Sequence, residues 1–178
     1  AGKFLRVTSE GKAVADNPFG NEVYSYGHRN VQGFAWNAAG QMWATEHGRS
    51  GALSGLDELN HIEKGKNYGW PDIEGDETRI GMVTPARNSG GNVTWAPGGI
   101  TFIGNKLFFG GLRGSSLYET SIGSLATITE HFKGEYGRIR EVIVGPDGML
   151  YITISNRDGR GSPRDGDDKV IRVNPTKL

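Results

Sequence analysis

The sequence predicts an all-β protein made of about three β-propeller blades, and two repeats in the chain support this prediction. A β-hairpin pattern occurs three times, and each copy is followed by a polar, glycine-rich loop. A single strand at residues 3–8 is repeated at residues 169–174, with the three hairpins between the two copies. Each unit therefore spans roughly 55 residues, which is the size of a propeller blade with long loops.

Each hairpin is predicted from two apolar runs, rich in β-branched and aromatic residues, on either side of a turn that contains Gly, Asn or Pro. The first hairpin has strands at 34–36 and 42–45 around a turn at 37–40. The second has strands at 100–103 and 107–109 around a turn at 104–105. The third has strands at 138–144 and 149–154 around a turn at 145–148. Gly and Pro supply the dihedral angles that a tight reversal needs, so the turns fix where each hairpin folds back.

The remaining segments complete the predicted blades. We expect strands at 1–8, 22–26, 117–122 and 131–132, an outer hairpin of 56–62 and 67–71 around a turn at 63–66, surface loops at 72–92 and 156–168, and a short helical turn around 124–129. The blades then cover roughly residues 22–75, 90–133 and 138–174, and residues 1–8 form an outer strand of a preceding blade. Core positions between the blades are expected for the four tryptophans, Trp36, Trp43, Trp70 and Trp95.

The composition narrows the possible functions. Twenty basic and twenty acidic residues give the 178-residue chain a formal net charge of zero, which argues against nucleic acid as the main partner. No apolar run approaches the length that spans a bilayer. Cysteine is absent, so thiolate nucleophiles, disulfides and cysteine-ligated zinc sites are excluded.

Two arginines on the third hairpin are the first candidate site residues. Arg138 and Arg140 are two positions apart on one strand, so both guanidinium groups point to the same side of an apolar hairpin. Two aligned cations need an anion. Either they bind an anionic ligand, or they form ordinary salt bridges at a solvated rim.

Several motifs, in order along the chain, resemble the soluble aldose sugar dehydrogenases that depend on pyrroloquinoline quinone (PQQ), the glucose/sorbosone dehydrogenase family. The matching segments are Tyr-Gly-His-Arg-Asn-Val-Gln-Gly at 26–33, Trp-Ala-Thr-Glu-His-Gly at 43–48, Asp-Glu-Leu-Asn at 57–60, Gly-Lys-Asn-Tyr-Gly-Trp-Pro at 65–71, Trp-Ala-Pro-Gly-Gly at 95–99, Gly-Leu-Arg-Gly at 111–114 and Arg-Ile-Arg at 138–140. The resemblance extends over essentially the whole chain. It corresponds to the C-terminal half of the family's six-bladed propeller.

The resemblance implies a PQQ site. PQQ carries three carboxylates and an ortho-quinone, so it needs several cations together with donors near the reactive carbonyl. Five residues match the family's cofactor-binding positions: Arg29, Asn30, Arg113, Arg138 and Arg140. Arg113 stands where the family usually has lysine. Of these residues, Arg29 and Arg140 are expected to take part in catalysis.

The resemblance also implies calcium. In the family, two consecutive backbone carbonyls bind Ca²⁺ at the cofactor's anionic edge, and they correspond to Gly48 and Arg49 here. The second position is usually proline. A separate calcium site in relatives uses a carboxylate and a backbone carbonyl, which correspond to Glu58 and Tyr68. Hard oxygen ligands of this kind suit Ca²⁺.

The function that the resemblance implies is oxidation of an aldose to a lactone at the anomeric carbon. Electrons pass to an external acceptor, and the protein is expected to be periplasmic or secreted. The family's histidine base belongs to the N-terminal half, so His28 and His47 are expected to be structural and this chain alone to have little or no activity. We also expect it to pair with the missing half or to form a homodimer, since open propeller ends expose apolar faces.

Two other functions stay open at this stage. One is a non-catalytic propeller module that keeps the fold and binds no PQQ. The other is a metal-dependent lactonase-like hydrolase, which would require several carboxylates converging on one ion. The arginines at the loop ends favour the dehydrogenase over the hydrolase.

Overall fold

A computed structural model describes residues 2–51 and 54–178, and within these ranges the protein is all-β, with no α-helix. The strands are β1 (Lys3–Leu5), β2 (Val23–Tyr26), β3 (Val31–Trp36), β4 (Met42–Glu46), β5 (Glu58–Ile62), β6 (Arg87–Asn88), β7 (Pro97–Ile103), β8 (Lys106–Gly111), β9 (Ser116–Ser121), β10 (Ser124–His131), β11 (Ile139–Val144), β12 (Leu150–Ile154) and β13 (Val170–Val173). A 3₁₀ turn at Pro175–Lys177 follows β13. Across the described residues, no helix is long and apolar enough to cross a membrane.

The strands form antiparallel meanders, which is the topology of propeller blades. Blade 1 is the sheet β3-β4-β5-β6, blade 2 is β7-β8-β9-β10, and blade 3 is β11-β12-β13. Strands β1 and β2 form a separate two-stranded sheet. The chain is therefore a partial β-propeller, as the sequence predicted.

The three predicted hairpins are the first two strands of the three blades. The last pairs before the turns are Trp36 with Met42 in blade 1, Ile103 with Lys106 in blade 2, and Val144 with Leu150 in blade 3. Each turn contains a glycine in the left-handed region, at a φ of 76° for Gly40, 59° for Gly104 and 74° for Gly148. Side chains with a Cβ rarely adopt this conformation, so these three glycines explain why the local prediction succeeds.

The helical turn predicted around 124–129 is wrong, because these residues belong to β10. Thr129 pairs with Glu119 of β9, and the register shifts between Ser124 and Thr129. The Thr120 hydroxyl donates to the carbonyl of Thr127 at 2.8 Å within this irregular stretch. β-branched residues favour the extended backbone, and an edge position on an existing sheet outweighs the weak helical tendency.

Blade 1 also differs from its predicted limits. Its sheet spans residues 31–88 and not 22–75, since β2 pairs with β1 and the outermost strand, β6, lies inside the predicted loop 72–92. Residues 67–71 do not pair with β5; Asn67 instead makes a parallel bridge with Tyr26. Gly69 has a φ of 85°, and Pro71 cannot donate to a ladder, so this segment cannot continue as the second arm of a hairpin.

The core lies between neighbouring sheets. Blades 1 and 2 meet at a cluster that contains Trp43, Leu59 and Phe109, and blades 2 and 3 meet at one that contains Phe108 and Ile152. Trp43 and Trp95 are buried in the first cluster, as predicted. Trp36 and Trp70 are not: their side chains are exposed by 56% and 38%.

An apolar face remains open on the side of blade 1 that is turned away from blade 2. Leu5, Phe34 and Trp36 are more than half exposed, and they border a depression of about 560 Å³. Phe34 and Trp36 pack edge to face, with ring centroids 5.6 Å apart. Exposed apolar surface of this kind favours association, so pairing with a second half or a second copy stays a prediction for this face.

Candidate functional site

A cleft of about 710 Å³ opens at the end of the blades where the first strand of each blade begins and the second strand ends. Blade 1 contributes residues on both sides of its first hairpin, such as Asn30 and Gly48. Blade 2 contributes Arg113 after β8, and blade 3 contributes Arg138 and Arg140 at the start of β11. Loops from all three blades thus converge on one pocket.

The cleft gathers most of the predicted site residues. Six of the nine line it: Asn30, Gly48, Arg49, Arg113, Arg138 and Arg140. The other three, Arg29, Glu58 and Tyr68, line a much smaller cavity that shares His47 and Gly48 with the cleft. The structure therefore brings six of the predicted residues together in one cleft and places the other three beside a second, smaller cavity.

Asp158 connects the two arginines of β11. Arg138 donates from Nε and Nη2 to Asp158 Oδ2, at 3.1 and 2.9 Å, and Arg140 Nη2 donates to the same oxygen at 2.9 Å. Arg138 also donates from Nη1 to the carbonyl of Leu112 at 3.3 Å. The two side chains do point to one place, and an internal carboxylate aligns them there.

The arginines keep Asp158 ionised. Partial desolvation raises the pKa of this carboxyl group, but the hydrogen bond from Arg138, the N–H of Arg160 and the charges of Arg138 and Arg140 outweigh it and lower the pKa to about 2. Five arginines and two aspartates are among the described residues of the cleft. With both carboxylates ionised, the cleft carries a net charge of +3.

The two arginines of the pair differ in the donors they have left. Arg138 uses three N–H groups on Asp158 and Leu112 and is 12% exposed, whereas Arg140 uses one N–H group and is 44% exposed. A guanidinium has five N–H donors. Arg140 therefore has more capacity to bind a ligand in the cleft.

Two more cations border the cleft, Arg113 from blade 2 and Arg49 from blade 1. Arg113 Nη1 donates to the hydroxyl of Ser54 at 3.0 Å. Arg49 Nε lies 3.5 Å from Glu74 Oε1, an ion-pair distance that is too long for a good hydrogen bond. Both guanidinium groups keep donors for a ligand.

Arg29 does not line the cleft, although two residues that it contacts do. Its Nη1 donates to the carbonyl of His47 at 3.2 Å, its Nη2 donates to Ser50 Oγ at 2.9 Å, and its guanidinium lies 5.4 Å from the ring centroid of Trp70. The side chain thus holds the 47–50 loop from outside. The structure does not bring its charge together with those of Arg138 and Arg140.

Glu46 is a functional residue that sequence reasoning missed. It is 2% exposed, and its Oε1 accepts the backbone N–H groups of Arg29 and Asn30. Its Oε2 lies 3.1 Å from His28 Nδ1, and His28 Nε2 lies 2.9 Å from Ser25 Oγ. His28 is buried in this network and stacks on Tyr68, so its position is structural.

Asp57 also accepts backbone N–H groups, and it does so between blades 1 and 2. Its Oδ1 accepts the N–H of Gly48 at 2.9 Å, and its Oδ2 accepts the N–H groups of Trp95 and Ala96 at 2.7 and 2.9 Å. Its own N–H donates to Ser89 Oγ at 3.0 Å. One buried carboxylate thereby fixes the Gly48 loop against the segment that leads into β7.

Asn156 is the third buried anchor. It is 1% exposed, and its Oδ1 accepts the N–H of Arg138 at 2.9 Å while its Nδ2 donates to the carbonyl of Tyr136 and to Asp167. The sequence carries a signal for Glu46 and Asn156, since each polar residue closes an apolar strand run. Asp57 has no such signal, because the three backbone N–H groups that donate to it come from two blades.

His47 lines the cleft with a neutral ring. Burial lowers its pKa, which the charge of Asp57 and the contact with Pro97 only partly offset, and the nearby Arg29 and Arg140 lower it further. Its Nε2 lies 2.9 Å from the carbonyl of Pro97, so this nitrogen carries the proton. A neutral imidazole here adds no further positive charge to the cleft.

The small cavity beside the cleft is acidic. Glu46, Glu58 and Glu74 line it together with Tyr68. Burial raises the pKa of Glu58 to about 7, with further contributions from the charges of Glu46 and Glu74. Among the described residues, no group of three or more His, Cys, Asp or Glu side chains converges as a metal-ligand set.

The family model for glucose/sorbosone dehydrogenases matches residues 1–162. The chain belongs to this family. It is 33% identical to the aldose sugar dehydrogenase YliI of Escherichia coli over 92% of its length, and 41% identical to quinoprotein glucose dehydrogenase B of Acinetobacter calcoaceticus over 42% of its length. These matches cover 51% and 16% of the two relatives.

Solved structures of the family support the same assignment. The PQQ-bound form of the aldose sugar dehydrogenase from Streptomyces coelicolor superposes with a TM-score of 0.87 and 39% identity, over 97% of this chain and 51% of that protein. This chain thus spans about half the length of the relatives that it matches.

Replacing Asp57 tests its role as an anchor. In Asp57→Ala, three backbone N–H groups lose their acceptor, so we expect the free energy of unfolding in urea to fall by about 3–5 kcal/mol. Asp72→Ala is the matched control, because Asp72 makes an exposed ion pair with Arg79 and should change stability by less than about 1 kcal/mol. Equal effects of the two substitutions would contradict the anchoring role.

Glu58 should give the protein a defined pH dependence in buffer with a metal chelator. Its pKa of about 7 in the folded protein exceeds the ordinary value of 4.5 for a glutamate. The folded state therefore binds more protons between these values, and stability falls as pH rises through this window. Relative to Glu58→Gln, the native chain should lose on the order of 2–3 kcal/mol of unfolding free energy between pH 4.5 and pH 8. A stability difference that does not change with pH would show that Glu58 is not perturbed.

Proposed function

We propose that this chain forms the PQQ-holding part of an aldose sugar dehydrogenase that oxidises aldoses to lactones at the anomeric carbon. The observation that carries the proposal is the net charge of +3 in a cleft of about 710 Å³ formed by loops of three blades. PQQ has three carboxylates, so the cleft and the cofactor are complementary in charge. The volume also lies within the range of about 300–1,000 Å³ that is typical of small-molecule sites.

We assign the side chains of the cleft different roles in binding PQQ. Arg140 supplies the accessible donors, and we assign it to the cofactor's reactive edge. Arg138 supplies charge and orients Asp158, which aligns both guanidinium groups. Arg113 and Asn30 bind from the other blades. Arg29 takes a positioning role, because its side chain holds the 47–50 loop.

PQQ, when bound, would supply a quinone that accepts a hydride, which carries two electrons and one proton, from the sugar. The residues of this chain hold negative charge in place and keep the site rigid before the reaction, which is how fixed donors assist charge development. The base that removes the sugar's hydroxyl proton is not assigned to any residue here.

Calcium is the second cofactor of the proposal. Gly48 and Arg49 line the cleft, and we propose that their backbone carbonyls bind Ca²⁺ next to the anionic cofactor. Glu58 and the carbonyl of Tyr68 are proposed for a separate site in the acidic cavity. A buried carboxyl group with a raised pKa gains a favourable partner when a cation binds, which supports Glu58 as a ligand.

The partners follow from the family. We propose an aldose as substrate, an external electron acceptor, and a periplasmic or secreted location. The open apolar face of blade 1 is proposed to contact either the other half of the propeller or a second copy of this chain.

Two alternatives make different predictions. A non-catalytic propeller module would keep the fold and show no saturable PQQ binding. A metal-dependent lactonase would need converging carboxylates, and the described residues do not supply such a set. The concentration of arginines in one cleft favours the dehydrogenase.

PQQ binding is the direct test. We expect saturable binding in an absorbance titration, strengthened by Ca²⁺ and weakened by a chelator. Arg140→Gln should raise the Kd about tenfold or more, and Arg138→Gln should raise it less, because Arg140 has more unused donors. Arg172→Gln is the control: Arg172 is exposed, pairs with Asp147 and lies outside the cleft. No saturation, or an equal loss in the control, would overturn the proposal.

The isolated chain should have little or no dehydrogenase activity even with PQQ bound. The reason is that the resemblance places the family's histidine base, which removes the sugar's hydroxyl proton, in the N-terminal half of the propeller. The measurement is PQQ-dependent dye reduction with glucose, with and without Ca²⁺. Turnover by this chain alone would contradict the expectation and would require a base among its own residues.

A further inference from the structure

A second, smaller groove of about 240 Å³ lies beside the cleft, between blades 2 and 3. Its described lining contains no carboxylate and includes four arginines: Arg113, Arg138, Arg160 and Arg164. The first three of these also line the cleft, so the groove is a continuation of it. Asp158, which neutralises part of the cleft's charge, does not line the groove.

Hydrogen bonds and close packing fix the 156–164 loop that forms one wall of the groove. Arg164 Nη2 donates to the carbonyl of Gly134 at 3.0 Å, and its Nη1 donates to the carbonyl of Glu135 at 2.5 Å, which ties the loop to the segment before β11. Its backbone N–H donates to Asp167 at 2.8 Å. A Cβ at Gly161 would lie 2.4 Å from the carbonyl oxygen of Asn156, so the loop packs closely on this buried anchor.

The groove has donors to offer. Within the described residues, the side chain of Arg160 makes no hydrogen bond or ion pair, and only its backbone N–H is engaged, by Asp158. Arg113 uses one donor on Ser54, and Arg164 uses two on carbonyls. Guanidinium groups with unused N–H donors bind phosphate and carboxylate groups in bidentate fashion.

We propose that this groove binds an oxyanion group, phosphate or carboxylate, carried by the sugar whose reducing end lies in the cleft. The proposal rests on the proposed function and adds a substrate class to it: phosphorylated or acidic aldoses. The groove is smaller than the roughly 300–1,000 Å³ of sites for whole small molecules, so it suits one charged group and not a second cofactor. Its continuity with the cleft allows one ligand to occupy both.

Titration with inorganic phosphate, by calorimetry at constant ionic strength, tests the anion site. The 178-residue chain should bind phosphate saturably, both with PQQ saturated and without PQQ. Arg160→Gln and Arg164→Gln should each raise the phosphate Kd about tenfold, the loss expected for one charge-assisted contact. Arg164 does not line the cleft, so Arg164→Gln should leave PQQ affinity unchanged.

Arg157→Gln is the matched control. Arg157 lies on the same loop, is exposed, and donates to the carbonyl of Asp167, but it does not line the groove. Its substitution removes the same charge and should not change the phosphate Kd. An equal loss in Arg157→Gln, or no saturable phosphate binding by a chain that circular dichroism shows to be folded, would overturn the proposal.

Competition then distinguishes the sources of the anion. Glucose 6-phosphate or glucuronate should displace phosphate from the PQQ-loaded chain, and whichever does so identifies the charged group; glucose should not. If neither displaces phosphate better than glucose, the substrate assignment is wrong. If PQQ itself expels phosphate, the groove belongs to the cofactor and the inference fails. A chain that binds phosphate but never PQQ would instead refute the proposed function.

Discussion

Buried side-chain oxygens that accept backbone N–H groups hold the start of each blade, and the cleft depends on them. Glu46 binds the N–H groups that precede β3, Asp57 those that precede β7, and Asn156 the N–H of Arg138 that precedes β11. These N–H groups precede the first strand of each blade, outside its ladder, so they need other acceptors. In all three blades, a buried side-chain oxygen therefore accepts the backbone N–H groups that precede the first strand.

These anchors make it possible to place like charges close together. Arg138 and Arg140 would repel each other, and Asp158 holds both through a single oxygen. The salt bridge and the ligand site are thus compatible: one negative charge aligns two positive ones and leaves a surplus for an anion. Of the two interpretations of this arginine pair in the sequence, the structure shows the salt bridge, and the proposed anion site is compatible with it. A site prepared in this way need not reorganise when a ligand arrives.

Local patterns predicted much of the fold, and contacts between distant segments account for what they missed. Gly40, Gly104 and Gly148 fix the hairpins through their own backbone preferences, so three turns were evident from the sequence. The pairing of β5 with β6 joins segments separated by a long loop, and no periodicity marks a strand of two residues. Motif order placed Arg138, Arg140 and Arg113 in one cleft. It could not show that Arg29 contacts the 47–50 loop and lines the smaller cavity, because these partners lie far from Arg29 in sequence.

The backbone at Gly48 separates the positive cleft from the acidic cavity, since it lines both. Asp57 accepts its N–H, and a Cβ at this position would lie 2.3 Å from the carbonyl oxygens of Gly55 and Leu56. Only glycine fits between two compartments packed so closely. This arrangement explains how a chain with no formal net charge offers strong local fields of both signs. An anionic cofactor on one side and a cation on the other would then stabilise each other across one peptide segment, so binding of either should strengthen binding of the other.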